Sequence, residues 1–158
     1  REGLWIEIDI SLPASRVRRV LDRLAIERGR YPEQIRCDNG SELTGHVLTE
    51  WVQRHGIRLA YIEPGKPTQN AFVERFNRTY REAVLDMYLF DSLAEVRAIT
   101  EVWLIDYNML RPHDALDGLP PAVFREKGLV LANRDCSFFL DSPKKRRTKE
   151  KGEAPSPA

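Results

Sequence analysis

Cys37-Asp38-Asn39-Gly40-Ser41-Glu42, taken together with Asn70-Ala71-Phe72-Val73-Glu74-Arg75-Phe76-Asn77, decides the fold. Gln34-Ile35-Arg36-Cys37 reads as a short strand, and Asn39-Gly40 is a turn dipeptide, so Asp38 falls where a strand ends and a loop begins. Thirty-five residues lie between Asp38 and Glu74, room for one helix, one strand and one loop. Glu74 stands near the start of a strongly helical segment. That spacing is able to bring both carboxylates to the carboxyl edge of a sheet. Two carboxylates facing one cleft suit a hard divalent cation such as Mg²⁺, which takes one or two protein carboxylates and leaves its other positions to water and phosphate oxygens. The chemistry of such a site is phosphoryl transfer.

Working outward, Leu4 to Ile10 alternates, with Leu4, Ile6, Ile8 and Ile10 on one face and Trp5, Glu7 and Asp9 on the other, which predicts a half-buried strand. From Arg16 to Arg28 the apolar positions Val17, Val20, Leu21, Leu24 and Ala25 follow helical spacing, and Gly29 stops the helix. Arg16, Arg18, Arg19, Arg23 and Arg28 cover its other faces. A solvated surface is the better reading of them than a phosphate-contacting one. A second helix is expected from Leu43 to His55, with Leu43, Val47, Leu48, Trp51 and Val52 buried and Gly56 past its end. Ile57 to Ile62 is the next strand. Helical connections between successive strands argue for a partly parallel, three-layer α/β arrangement. Pro64 to Gln69 reads as a loop flanking the site.

Asn70 to Tyr88 reads as one long helix, with Phe72, Phe76, Tyr80, Ala83 and Leu85 expected on the core. Glu74, Asn77, Arg78 and Arg81 share one of its faces. A solvated Glu–Arg pair, worth a few tenths of a kcal/mol, is the plain reading of that face. With Asp38 in view, a metal-binding Glu74 followed by phosphate-holding arginines is the stronger one. Ser92 to Asn108 is a further helix with Leu93, Val96, Ile99, Trp103 and Tyr107 as its core stripe. His113, after Pro112, reads as a structural histidine in a turn. Gly118 to Phe124 gives a turn and a short helix opened by proline. Leu129-Val130-Leu131 and Ser137-Phe138-Phe139-Leu140 suggest an accessory hairpin. Lys144-Lys145-Arg146-Arg147 with Lys149 is a basic cluster, read equally as a solubilising tail or as an arm for DNA phosphates. Domain bounds are therefore set at 1–125 for the core, 126–142 for a short β segment and 143–158 for a basic, disordered tail.

With 158 residues, 42% hydrophobic and 31% charged, one soluble globular domain is expected, and a net charge of +1 means that any basic surface must be local. Cys37 and Cys136 have no metal-ligand spacing, consistent with a reduced, intracellular protein. No apolar run reaches the length of a membrane span.

DNGSE, PGKPTQNAFVERFNRTYRE and DYNMLRPHDAL together resemble the integrase core of bacterial insertion-sequence transposases, part of the DDE superfamily and similar to retroviral integrases. The resemblance runs from about Leu4 to Phe124. It departs from the family pattern at Ser41, where Pro is commoner, and at Leu43, where an aromatic is. It implies an RNase H-like α/β/α core and a catalytic pair, Asp38 and Glu74, holding Mg²⁺ or Mn²⁺, two ions in the complete site. Lys66, Asn70, Asn77, Arg78 and Arg81 are the expected DNA contacts. The implied reactions are 3′-end cleavage and strand transfer on transposon ends and target DNA, by a homo-oligomer in the bacterial cytoplasm at the nucleoid. Family members use three carboxylates, the first on the sheet's first strand. Twenty-eight residues between Asp9 and Asp38 are too few for the intervening strands, so Asp9 does not fit that role. The first acid and strand are expected upstream of Arg1. A catalytically inactive remnant that only binds DNA or dimerises is the competing expectation.

Overall fold

Strand β1, Gln34–Cys37, alternates half-buried and fully buried residues, and Ile35 and Cys37 have no exposed surface. Apolar side chains on one face and hydrogen-bonding neighbours on both edges make it the centre of the sheet. The computed structural model describes residues 2–40, 43, 45–63 and 70–128 and the backbone of 137–140. Strand β2, Arg58–Tyr61, runs parallel to β1 with Ile35 opposite Leu59 and Cys37 opposite Tyr61. Strand β3, Ser137–Leu140, runs parallel along the other edge with Cys37 opposite Leu140, giving the order β2-β1-β3. Of the expected hairpin only the second half is described. Ser137–Leu140 joins the main sheet, and Leu129-Val130-Leu131 lies outside the described residues.

Helix α1, Ala14–Arg28, feeds β1, and helix α2, His46–Arg54, connects β1 to β2. Each ends where a glycine adopts positive φ, 67° at Gly29 and 65° at Gly56, a conformation a Cβ would strain. The two helices pack on each other and on the sheet. Leu21, Leu24, Ile35, Cys37, Leu43, Leu48, Trp51, Val52 and Ile57 form one buried cluster, and Trp51 Nε1 donates to Asp22 across the helix pair at 2.8 Å. Val47, expected inside, is 40% exposed, because α2 starts at His46 and turns that position outward.

The segment Leu4–Ile10 forms no strand among the described residues. Side chains hold this N-terminal segment at a few backbone points instead. Asn108 accepts from the Gly3 amide at 2.9 Å and donates to the Gly3 carbonyl at 2.7 Å, and Arg97 donates twice to the Ile8 carbonyl. Leu4 and Trp5, predicted on opposite faces, both pack on the core cluster, while Ile10 is 90% exposed. A strap replaces the strand, because the alternating pattern needs a neighbouring strand to be realised. Gly3 is what lets it lie close. A Cβ there would stand 2.6 Å from the Phe76 ring and 2.8 Å from Leu104.

Helix α3, Ala71–Tyr80, passes into a π turn, Arg81–Leu85, so the long helix expected to Tyr88 ends at Leu85. The extra residue in that turn accompanies the burial of both Tyr80 and Val84. The Tyr80 hydroxyl shares a 2.7 Å hydrogen bond with Thr100. Helix α4, Leu93–Met109, begins at Ser92, whose Oγ accepts from the Glu95 amide. Between α3 and α4 lies a second core of rings, with Phe76, Tyr80 and Tyr107 each within 5.6 Å of Trp103. Phe72 and Leu85 are exposed, against expectation. His113 is the structural turn residue expected. Its ring meets Tyr107 edge-on at 4.8 Å, and its carbonyl accepts from Leu116 and Gly118. Helix α5, Pro121–Gly128, opens on proline and continues past the boundary expected at 125.

Candidate active site

Asp38 follows β1 directly. Its Oδ1 accepts from the Gly40 amide at 3.1 Å, so the turn after the strand is closed by the carboxylate itself. The next side chain, Asn39, donates to the Ile62 carbonyl at 3.1 Å, while the Ile62 amide donates to Cys37 at 3.0 Å. Tyr61 adds a hydroxyl bond to the Leu43 carbonyl at 3.3 Å. The ends of β1 and β2 are thus laced together where one chain turns at Asp38 and the other sets off towards α3. Asn39 is the residue that sequence reasoning undervalued. A turn asparagine was legible, but its reach to β2 depends on strand pairing.

Beneath Asp38, burial pushes the Cys37 thiol from its ordinary 9.0 up to about 11, and the neighbouring Asp38 charge adds to the rise. An unfolded chain loses this proton near pH 9, while the folded one keeps it to about 11. Stability should therefore fall as pH rises through that window. Thermal melts between pH 8 and 11 should show the decline, and Cys37→Ala should flatten it. An unchanged slope in the variant would assign the decline to other groups, Tyr61 and Tyr80 first, since burial raises both of them too.

Glu74 lies in the first turn of α3, its amide donating to the Asn70 carbonyl at 3.0 Å and its side chain exposed. A helix N-terminus favours an anion there. Asn77, Arg78 and Arg81 are exposed on the same helical face, as expected. Arg81 pairs at 3.9 Å with Asp86, an exposed contact of little energetic weight. Asn70 is only 8% exposed, and its Oδ1 has no hydrogen-bond partner among the described residues. Lys66, with the rest of the 64–69 loop, lies outside them.

Asp9 is engaged elsewhere. The Ile10 amide, and then the Arg16 guanidinium bonded to it, hold its carboxyl below the usual range. Arg16 also meets Glu7, Arg28 meets Glu2, and Arg18 and Arg23 pair along α1 with Asp22 and Glu27. Arg18 and Arg23 are exposed, as the solvated reading expects, whereas Arg16 and Arg28 are half-buried against carboxylates of the N-terminal segment. Between the strap, α1 and α3 lies a cavity of about 730 Å³, lined by Leu4, Trp5, Val17, Val20, Phe72 and Phe76. Among the described residues no three His, Cys, Asp or Glu side chains gather closely enough to hold a metal ion.

One acid thus stands at the carboxyl end of the central parallel strand and a second in the first turn of a following helix. This is an RNase H-like α/β core of the integrase type. Residues 55–121 match the family model of the integrase core domain. Two relatives come from bacterial insertion elements. One is an uncharacterized 31.7 kDa protein of insertion element IS407 from Burkholderia multivorans, 40% identical over 87% of this chain and 50% of its own length. The other is an uncharacterized 39.2 kDa protein of IS476 from Xanthomonas euvesicatoria, 43% identical over 78% of this chain and 36% of its own. The chain thus spans half or less of the length of these curated relatives. Among solved structures, the catalytic core domain of BIV integrase superposes with a TM-score of 0.57 at 21% identity, covering 78% of each chain. A chain of the simian T-cell lymphotropic virus intasome gives 0.50 at 18% identity, over 90% of this chain and 48% of that one. Both share the fold.

Proposed function

We propose that this chain is part of the catalytic core of an insertion-element transposase, which cleaves DNA 3′ ends and transfers them to target DNA with a divalent metal. One observation carries the reading: Asp38 is fixed at the carboxyl end of a central parallel strand, and Asn39 ties its loop to the end of β2, from which the chain runs on to Glu74. The donor set fits the metal, since both acids offer hard carboxylate oxygens of the kind Mg²⁺ and Mn²⁺ prefer. When bound, such an ion supplies charge stabilisation at the phosphate and an activated oxygen nucleophile. The chain's own residues do the rest. Asp38 and Glu74 would hold the metal, and Asn77, Arg78 and Arg81 would position the DNA backbone along α3. Asn70 is buried at the N-cap position without a side-chain cap hydrogen bond, and its proposed DNA contact rests on the resemblance alone. Lys66 remains assigned to DNA by the resemblance. The resemblance calls for a third acid, and Asp9, bonded to Arg16 and the Ile10 amide, is not proposed for that role. A homo-oligomer acting on double-stranded DNA in the bacterial cytoplasm follows from the same reading. No helix among the described residues is long and apolar enough to cross a membrane.

The test is metal-dependent nicking and strand transfer on a labelled duplex, comparing this chain with an N-terminally extended version. Asp38→Asn is the control. Activity in the extended protein, lost with Asp38→Asn, is the expected result. Activity in the short chain alone would return Asp9 to the role of first acid. Silence in both would leave a non-catalytic DNA-binding remnant.

A further inference from the structure

Asp38 stands between the two residues that grip Ile62. The Ile62 amide donates to the Cys37 carbonyl at 3.0 Å, and the Ile62 carbonyl accepts from the Asn39 side chain at 3.1 Å. Cys37 and Tyr61 are the last paired residues of β1 and β2, so both bonds carry the sheet one step past its regular end. In a parallel ladder continued to that point, the donor to the Ile62 carbonyl would be the backbone amide of residue 39. The chain is already turning there, because Asp38 Oδ1 draws the Gly40 amide to 3.1 Å. The Asn39 carboxamide supplies the donor instead, and the ladder closes around Asp38 while the backbone departs.

What this bond fixes is the relation between the two acids. From Ile62 and Glu63 the chain sets off towards Asn70 and α3, which carries Glu74 in its first turn. Asn39 thus ties the Asp38 turn to the strand end from which Glu74 is delivered, and the Tyr61 hydroxyl braces the far side of that turn through the Leu43 carbonyl at 3.3 Å. A cation shared by carboxylates from two separate elements tolerates little play between them, since Mg²⁺ requires near-octahedral oxygens at about 2.0–2.1 Å. Asn39 itself is exposed, as is its bond to Ile62, so it adds little to folding. Its contribution is geometry.

We infer that Asn39 is a positioning residue of the metal site, whose side-chain bond to the Ile62 carbonyl holds the Asp38 carboxylate in place and so sets how tightly a divalent cation is bound. This rests on the proposed function and names a residue that tunes its metal requirement. Asn39 acts through Asp38.

Mn²⁺ binding tests this without chemistry. Affinity of the full chain for Mn²⁺ is measured by electron paramagnetic resonance for the wild type, Asp38→Asn, Asn39→Ala and Asn39→Gln, with thermal melts alongside. Asp38→Asn marks the share of binding that belongs to this site. Partners that orient a metal ligand carry about 10–100-fold in affinity, so Asn39→Ala should weaken that share by about tenfold or more while the melting temperature hardly moves. Asn39→Gln keeps the donor on a stem one methylene longer and should recover part of the loss. Hydrogen exchange reads the geometry directly: in Asn39→Ala the Ile62 and Gly40 amides should exchange faster, and those of Ile35 and Cys37 should not. Wild-type Mn²⁺ affinity in Asn39→Ala would overturn the inference. A weakened affinity that accompanies a collapsed melt would also overturn it, by making Asn39 merely structural, and so would Mn²⁺ binding that ignores Asp38→Asn. An Asn39-dependent Mn²⁺ site in an extended protein that never nicks or joins DNA would sink the proposed function alone.

Discussion

Glu74→Gln should abolish metal-dependent nicking and strand transfer in the extended protein while leaving DNA binding equal or slightly tighter. The substitution keeps shape and hydrogen-bonding capacity and removes only the charge a hard cation needs. Metal stabilisation of the reacting phosphate is worth several kcal/mol, and each 1.36 kcal/mol is tenfold, so a loss of about 10³-fold or more is expected. Because Glu74 is exposed in the first turn of α3, folding should change by no more than about 0.3–1 kcal/mol, the scale of a charge at a helix N-terminus. The sign on DNA affinity is what discriminates. Removing an anion beside Arg78 and Arg81 cannot weaken phosphate binding. If affinity falls in step with activity, Glu74 is structural. If activity survives, another acid serves the metal.

Ile35→Ala should cost about 2–5 kcal/mol, out of a total stability on the order of 5–15 kcal/mol. Ile35 has no exposed surface, sits on the central strand and belongs to the cluster that joins α1, α2 and the sheet. Its truncation leaves a cavity between two parallel partners that cannot close over it. With an m-value of about 1–3 kcal/mol/M, the urea midpoint should drop by roughly 1–3 M. Ile10→Ala is the matched comparison. The alternating pattern places Ile10 on a buried strand face, whereas the structure leaves it 90% exposed, so its loss should cost no more than about 0.5 kcal/mol. Equal costs at both positions would mean that Leu4–Ile10 is a true strand.

The contrast between these two isoleucines shows how far the chain could be read directly. Helical spacing marked α1, α2 and α4 to within a few residues, and glycine stops marked the ends of α1 and α2, because amphipathic periodicity and a left-handed cap are local requirements. The turn at Asn39-Gly40 placed Asp38 correctly for the same reason, and the Glu74, Asn77, Arg78, Arg81 face is exposed as its spacing demanded. Strands were different. The pattern at Leu4–Ile10 was as good as that at Gln34–Cys37, yet only the second found partners. The π turn after Tyr80 was equally hidden, since it goes with burying Tyr80 and Val84 in one core, not with any local signal.

By itself, the sequence determined the two acids and their spacing, the helices that carry them and the family those motifs resemble. The tertiary structure decided which apolar run became the neighbour of β1 and how Asn39 ties the Asp38 turn to β2. Helices and turns close their hydrogen bonds within a few residues, so their signals are written locally. A strand's hydrogen bonds belong to whichever segment comes to lie beside it, and that is settled only when the chain is packed.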